Sequence, residues 1–215
     1  MSPWQKARYL ILQWREVRDA IGVTRFGGLA KVGWLRSMRE RASVDADGEP
    51  LPWITYPAIE FLSRRVRSDS RVFEYGCGNG TLWWARHSRE VLACEDDPAW
   101  AAKIAPRLPR NARVMLVPVE SDGRYCRAIQ ESGLPFDLVV IDGADRVNCV
   151  KQSMPCLTAG GVVVLDNSER AEYAEAFRLL AREGFRALDF VGLSPSVADS
   201  STTTVFYRDH NCLGI

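Results

Sequence analysis

Apolar runs in the second half of the chain end in oxygen donors. FDLVVID (136–142) closes on Asp142, and GVVVLD (161–166) closes on Asp166, followed by Asn167. Two carboxylates and an amide oxygen make a hard oxygen set suited to Mg²⁺. Asp142, Asp166 and Asn167 are therefore candidate metal ligands if the two runs lie side by side. The same residues also fit plain turn chemistry. Asp142 precedes Gly143 and can cap a turn, and Asp166 or Asn167 can cap a helix starting near Ser168.

A second cluster lies upstream. Glu74-Tyr75-Gly76-Cys77-Gly78-Asn79-Gly80 follows the run RVFEYG (71–76) and precedes a helix-like stretch. Glycines let a backbone turn tightly and come close to a ligand, and the following helix offers N-terminal amides. The spacing is GxGxG, not the GxGxxG of a dinucleotide loop, and Thr81 stands where that loop needs its last glycine. No GK[ST] follows, so this is not a Walker loop. Glu95 ends EVLACE (90–95), 21 residues after Glu74, placed to accept hydrogen bonds from ribose hydroxyls.

These residues need a frame that gathers strand ends. Five runs read as strands: 71–76, 90–95, 113–119, 136–142 and 161–166. Helix-like stretches separate or follow them at 81–88, 97–107, 121–132, 147–157 and 169–183. Strands alternating with helices predict parallel βαβ units. Such strands point their C-terminal ends into one crevice, where ligands bind. FRALDFVGL (185–193) and TTTVFYR (202–208) have no helix between them and are expected to pair antiparallel at the sheet edge. The expected fold is α/β: a doubly wound, mostly parallel seven-stranded sheet with an antiparallel last strand, helices on both faces and a helical N-terminal extension.

ExGxGxG, an acid closing the second strand, VVIDGAD at the fourth and LTAGGVVVLDN at the fifth occur here in one order. In that order they resemble the class I S-adenosylmethionine (SAM)-dependent methyltransferases, over residues about 70–208. The resemblance implies that Glu74, Gly76 and Gly78 lie along the methionine portion of SAM. Glu95 would bind the ribose, and Ser121 and Asp122 would flank the adenine. Cys77, Gly80, Asp96 and Asp142 join the implied cofactor-binding set. The strand-end acids resemble the metal ligands of catechol-type and caffeoyl-CoA-type O-methyltransferases, where the metal grips acceptor hydroxyls and lowers their pKa. The catechol-type pattern has a lysine base three residues past the strand-four acid. Here that position is Asp145, followed by Arg146. Asp142 and Asp145 are thus the candidate catalytic residues, Asp145 as base or further ligand, and Arg146 could bind an anionic substrate. PWITYPAIEFL before FEYGCGNGTLWWA also resembles a bacterial subgroup of these enzymes, whose acceptor the residues do not name. In that resemblance, helix 169–183 and the loop 192–204 wall the acceptor pocket.

The 215 residues are ordinary in composition, with 47% hydrophobic and 26% charged, which excludes collagen, coiled coil and wholesale disorder. No apolar run approaches the length of a transmembrane helix, and Met1 to Arg18 does not read as a secretory signal. Charge is uneven. Residues 1–41 carry nine Lys/Arg and three acids, net +6, leaving the remainder at −5. Such a basic arm suits a peripheral membrane or subunit contact, homo-oligomers included, or simply a solvated helix face. Residues 3–21 read as an amphipathic helix with Trp4, Tyr9, Leu12, Val17 and Ile21 on its buried side. Residues 43–53 read as a linker or loop, and the chain divides into an extension (1–55) and a SAM-binding methyltransferase domain (56–215).

Six cysteines lack CxxC spacing and fit reduced, buried thiols in a cytoplasmic protein. His87 and His210 are expected at the surface. Trp53, Tyr56, Trp83, Trp84, Trp100 and Tyr173 gather around the presumed mouth, most as packing residues and Trp53 and Tyr56 as covers of the acceptor site.

The function implied is methyl transfer from SAM to the oxygen of a small-molecule or sugar hydroxyl, with Mg²⁺ as candidate assistant. DGADR stands where an Asn/Asp-Pro-Pro-aromatic motif would favour N-methylation, and nucleic acid is not the expected partner. Two alternatives stay open: aminopropyl transfer from decarboxylated SAM, with Asp142, Asp145 and Asp166 receiving a polyamine, and a non-catalytic SAM-binding partner protein.

Overall fold

The computed structural model describes residues 3–215, with side chains described at 4, 5 and 12–215. Seven strands form one sheet: β1 (Arg71–Tyr75), β2 (Glu90–Glu95), β3 (Ala112–Leu116), β4 (Phe136–Ile141), β5 (Leu157–Leu165), β6 (Arg186–Gly192) and β7 (Ser201–Tyr207). Their order is β3-β2-β1-β4-β5-β7-β6. The first five strands run parallel, and β7 lies antiparallel between β5 and β6. This is the expected architecture, with β6 rather than β7 at the edge.

Nine helices accompany the sheet among the described residues. They are α1 (Pro3–Arg25), α2 (Gly28–Lys31), α3 (Trp34–Glu40), α4 (Tyr56–Ser63), α5 (Asn79–His87), α6 (Pro98–Ile104), α7 (Arg124–Glu131), α8 (Arg146–Ser153) and α9 (Ala174–Arg182). None is long and apolar enough to cross a membrane.

Successive strand residues face opposite sides, and β5 shows it directly. Val163 and Leu165 join Phe73, Tyr75 and Ile141 in a core closed by α7, α8 and α9 through Ile129, Val150 and Leu180. Val162 and Val164 join Val72 and Val140 in a core closed by α4 and α5 through Leu62 and Trp84. Both faces of β4 and β5 are therefore covered, which is why their sequences are continuous in Val, Leu and Ile. β5 starts at Leu157, earlier than expected, and its register with β4 shifts between Phe136 and Leu138. Gly160 and Gly161 lie at that irregularity.

One expectation about the N-terminal region is corrected. Trp4, Leu12, Val17 and Ile21 are not buried: they are 86, 48, 51 and 47% exposed, because α1 meets chiefly the short α2 and α3 and not the core. Tyr9 lies outside the described side chains. Of the two readings of residues 43–53, linker or loop, the structure has a loop held to the rest of the domain. Ser37 Oγ donates to Val44 O at 2.6 Å, and Asn79 Nδ2 donates to Ser43 O at 2.7 Å. Trp34 Nε1 donates to Val197 O at 2.8 Å, and Ile54 is 1% exposed. The stretch from Trp34 to Thr55 is a strap fastened across the domain.

Gly33 is where that strap begins. Its φ is +82°, and an added Cβ would stand 2.2 Å from the Asp45 carbonyl carbon. Gly33→Ala is expected to cost well over 1 kcal/mol and to lower Tm by at least ~3 °C. Gly22→Ala, where a Cβ meets nothing within 4 Å, should leave Tm unchanged or raised, because alanine is the better helix former. Paired thermal melts check this; equal effects at the two positions would contradict the fastened strap.

Candidate active site

The C-terminal ends of β1, β2 and β4 open onto a cavity of about 610 Å³, within the ordinary range for ligand pockets. The sheet side supplies Glu74, Gly76, Cys77, Gly78, Gly80, Glu95, Asp96, Asp142 and Gly143. The strap supplies the opposite wall, including Ser43, Val44, Leu51 and Trp53.

The glycine loop takes its shape from local contacts. Gly76 has φ +89°, and a Cβ there would press on Gly143 at 3.2 Å. A Cβ on Gly80 would lie 2.5 Å from Glu74 Oε1. Glu95 anchors the loop, because its carboxylate accepts from Cys77 N at 2.8 Å and from Asp96 N and Asp97 N at 3.0 Å. A carboxylate has about four acceptor sites, so Glu95 keeps capacity for a ligand hydroxyl. Asp97 caps α6 through Ala99 N and Trp100 N. Trp100 Nε1 then donates to Cys77 O at 2.6 Å, which brings an indole to the cavity.

Glu74 is buried at the bottom of this cavity. It accepts hydrogen bonds from Thr81 Oγ1 and Trp84 Nε1. Desolvation pushes its pKa up to about 8, with the Asp142 and Glu95 charges adding and the Thr81 and Trp84 bonds opposing.

A second cavity, of about 440 Å³, shares Trp53 and Asp142 with the first. Its wall carries Arg146, Asp166, Asn167, Glu169, Arg170, Ser194, Val197, Asp199, Ser200 and Ser201. Of the helix 169–183 and loop 192–204 expected as a wall, residues 169, 170, 194, 197 and 199–201 line this cavity; α9 itself starts later, at Ala174, and does not. Tyr173 lies under Arg146, with the guanidinium carbon 5.4 Å from the ring centroid. Tyr56 lines neither cavity, and Trp83 and Trp84 belong to the core. His87 stacks on Trp83, and neither it nor His210 lines either of these two cavities.

Three expected roles are corrected by side-chain geometry. Asp145 is turned away from both cavities: its carboxylate accepts from Asp122 N and Asn148 Nδ2, each at 2.9 Å. It splices the loop after β3 to the loop after β4 and is not placed as a base. Ser121 and Asp122 do not line the cavity, and the Asp122 carboxylate is taken by Arg127 and Gln152. The Mg²⁺ set also fails. Asp142, Asp166 and Asn167 do meet at the strand ends, but the Arg146 guanidinium lies among them. It pairs with Asp142 Oδ1 at 3.0 Å, donates to Asp166 O, and stands 3.4 Å from Asn167 Oδ1. Asp166 Oδ1 accepts from Thr203 Oγ1 at 2.6 Å. Among the described residues no three His, Cys, Asp or Glu side chains form a metal-binding group. The residues present do not fit a bound metal. Desolvation raises the pKa of Asp142 above the usual carboxylate range, the Asp166 charge adds, and Arg146 opposes.

No protein-family model matches the chain, and no curated protein matches it. Solved structures do. An rRNA methylase from Streptococcus thermophilus superimposes with a TM-score of 0.57 at 16% identity, over 73% of this chain and 99% of that one. A putative methyltransferase from Streptococcus mutans in complex with SAH gives 0.52 at 14%, over 72% and 99%. The fold is that of the class I SAM-dependent methyltransferases. A spermidine synthase from Thermotoga maritima shares it, at a TM-score of 0.51 and 15% identity, over 71% of this chain and 57% of that one. Within this methyltransferase fold, the glycine loop and Glu95 sit where the sequence order placed them. The strap residues at the cavity were not foreseen, although the apolar Val44, Leu51 and Ile54 within a turn-rich stretch were a readable sign of burial.

The buried Glu74 sets a pH signature. Its folded pKa of about 8 lies above its ordinary 4.5, so the stability that it contributes is present below the ordinary pKa and is lost as pH rises through about 8. Glu74→Gln should therefore gain Tm relative to the parent between pH 5 and pH 8.5. Melts across that range test it, and a constant difference would show that Glu74 is ionised throughout.

Proposed function

We propose that the chain is a SAM-dependent methyltransferase acting on the oxygen of a hydroxyl in a polar small molecule or sugar. The observation that carries this reading is the pair of cavities joined at Asp142 and Trp53. One is built on the glycine loop and Glu95. The other is polar and holds the acceptor.

The first cavity fits the cofactor in the chemistry of its donors. Gly76, Cys77, Gly78 and Gly80 leave room for close backbone approach, beside Glu74, whose carboxyl would face the amino-acid end of SAM. Glu95 and Asp96 suit ribose hydroxyls. SAM supplies a methyl group on a positively charged sulfur. The protein then has to align an oxygen nucleophile and take its proton. Asp142 is the carboxylate shared by both cavities and is the proposed base: it would take the acceptor proton as the oxygen bonds to the methyl carbon and the carbon–sulfur bond breaks, the sulfur keeping the electron pair and S-adenosylhomocysteine leaving. Arg146 fixes the direction of that carboxylate by pairing with Oδ1, which leaves Oδ2 for the acceptor.

The second cavity carries Asp142, Asp166, Glu169 and Asp199 against Arg146 and Arg170. An acidic excess repels phosphates, which supports a neutral polyhydroxy acceptor over nucleic acid. The same lining favours a second reading, a polyamine acceptor, and the spermidine synthase shares the fold. Free thiols at buried Cys77, Cys94, Cys126 and Cys149 support a cytoplasmic setting.

Calorimetric titration with intact and decarboxylated SAM separates the readings. Methyl transfer predicts micromolar binding of intact SAM, weakened at least tenfold, about 1.4 kcal/mol, in Glu95→Ala. Preference for decarboxylated SAM would favour aminopropyl transfer, and no binding of either would sink both. With a hydroxyl acceptor supplied, Asp142→Asn should lower kcat at least ~100-fold with SAM affinity within a few fold of the parent.

A further inference from the structure

Arg146 has five N–H donors, and all five are used at one place. Nε donates to Gly143 O at 2.9 Å. Nη1 donates to Asp166 O and faces Asn167 Oδ1 at 3.4 Å. Nη2 donates to Asp142 O and Asp142 Oδ1, each at 3.0 Å. Its side chain is 10% exposed. The five acceptors are one carboxylate, one amide and three backbone carbonyl oxygens, drawn from the ends of two neighbouring strands. Oxygens of these types are also what a hard divalent cation collects.

We propose that the Arg146 guanidinium is the resident cation of the acceptor site: it fills the position of a divalent metal and positions Asp142 for a metal-independent reaction. Backbone carbonyls that converge from two loops repel one another, and a cation must hold them. Arg146 does so from within the chain: it is the first residue of α8, and the loop Asp142–Asp145 folds back so that Asp142 meets it. Nη2 holds Asp142 through its backbone carbonyl and through Oδ1 together, which fixes the carboxylate direction; the planar fork spreads the remaining donors over the other three oxygens, which a hydrated ammonium of the same charge would not match. Arg146 is thus a positioning residue. This inference shares the acceptor-site reading of Asp142 but not the cofactor reading.

Its test needs neither SAM nor acceptor. Mn²⁺ binding is followed by electron paramagnetic resonance on the full chain, in the parent, Arg146→Ala, Arg146→Ala/Asp142→Asn and Arg146→Lys. The expected result is no site-specific Mn²⁺ binding in the parent. Arg146→Ala should bind Mn²⁺ at least tenfold more tightly, lose that gain with Asp142→Asn, and recover Tm when Mn²⁺ is added. Arg146→Lys, which keeps the charge, should bind no Mn²⁺. The proposal is overturned if the parent binds Mn²⁺ in a way that Asp142→Asn removes. A folded Arg146→Ala that gains no Mn²⁺ affinity overturns it equally. Should Arg146→Ala fail to fold, the parent and Arg146→Lys decide by the same criteria. A failure of SAM binding would leave this result untouched, so the two readings fail separately.

Discussion

Two backbones touch where β1 and β4 leave the sheet, and the site is organised around that contact. Gly76 and Gly143 face each other with no side chain between them. A Cβ on Gly143 would lie 2.9 Å from Gly76 N and 2.1 Å from Tyr125 Oη. β1 and β4 flank the point where the strand order reverses, because β2 and β3 lie to one side and β5 to the other. In open α/β sheets the crevice forms at such a switch point. The glycine pair lets both loops fold back tightly there. The loop after β1 then reaches Glu95, and the loop after β4 delivers Asp142 and starts α8 with Arg146. A larger residue at either glycine would push apart the two loops that hold the two cavities together.

That closeness crowds four carboxyl groups into one crevice, and each is answered differently. Glu95 accepts three backbone amides. Glu74 has a neutral indole and a hydroxyl as partners, so burial raises its pKa to about 8 and it stays largely protonated at neutral pH. Asp142 faces the one buried cation of the cluster, Arg146. Asp166 leans on Thr203 of β7, which ties the antiparallel edge of the sheet to the site. A buried carboxylate without a partner would ionise only at great cost. The arrangement therefore separates the groups: Glu95 holds a loop, Glu74 stays neutral at the bottom of the first cavity, and Asp142 is held through one oxygen where the two cavities meet.

The parts of this that the sequence shows are those whose cause is local. The GxGxG loop, the acid at the end of β2 and the acids at the ends of β4 and β5 follow from strand period and chain direction, and the topology follows from alternating runs. The parts that it hides depend on which side chain finds which partner. Asp145 and Asp122 each have the residue type for a site, yet Asp145 is spent on the Asp122 amide. The oxygen set at the strand ends was readable, but its cation was not: Arg146 reaches Asp142 only because the loop between them, with Asp145 at φ +47°, turns the start of α8 back onto the strand ends. The strap was hidden for a different reason. Its turn-rich composition resembles a linker, and only the burial of Val44, Leu51 and Ile54 against distant elements makes it a wall.

The strap has a consequence for how the two cavities work together. Trp53 belongs to both, and the strap is fastened at Asn79 beside the glycine loop and at Val197 beside the acceptor cavity. A ligand in the first cavity touches residues of the same segment that borders the second. Trp53 is 55% exposed, so its indole is the part of the shared wall with most surface left to bury. Filling the cofactor cavity would press that wall from one side, and an acceptor would meet it from the other. Ordering one side lowers the entropy that the second ligand must give up. Affinity for the acceptor should accordingly rise once the first cavity is filled, through a wall supplied by the segment that composition alone marks as a connector.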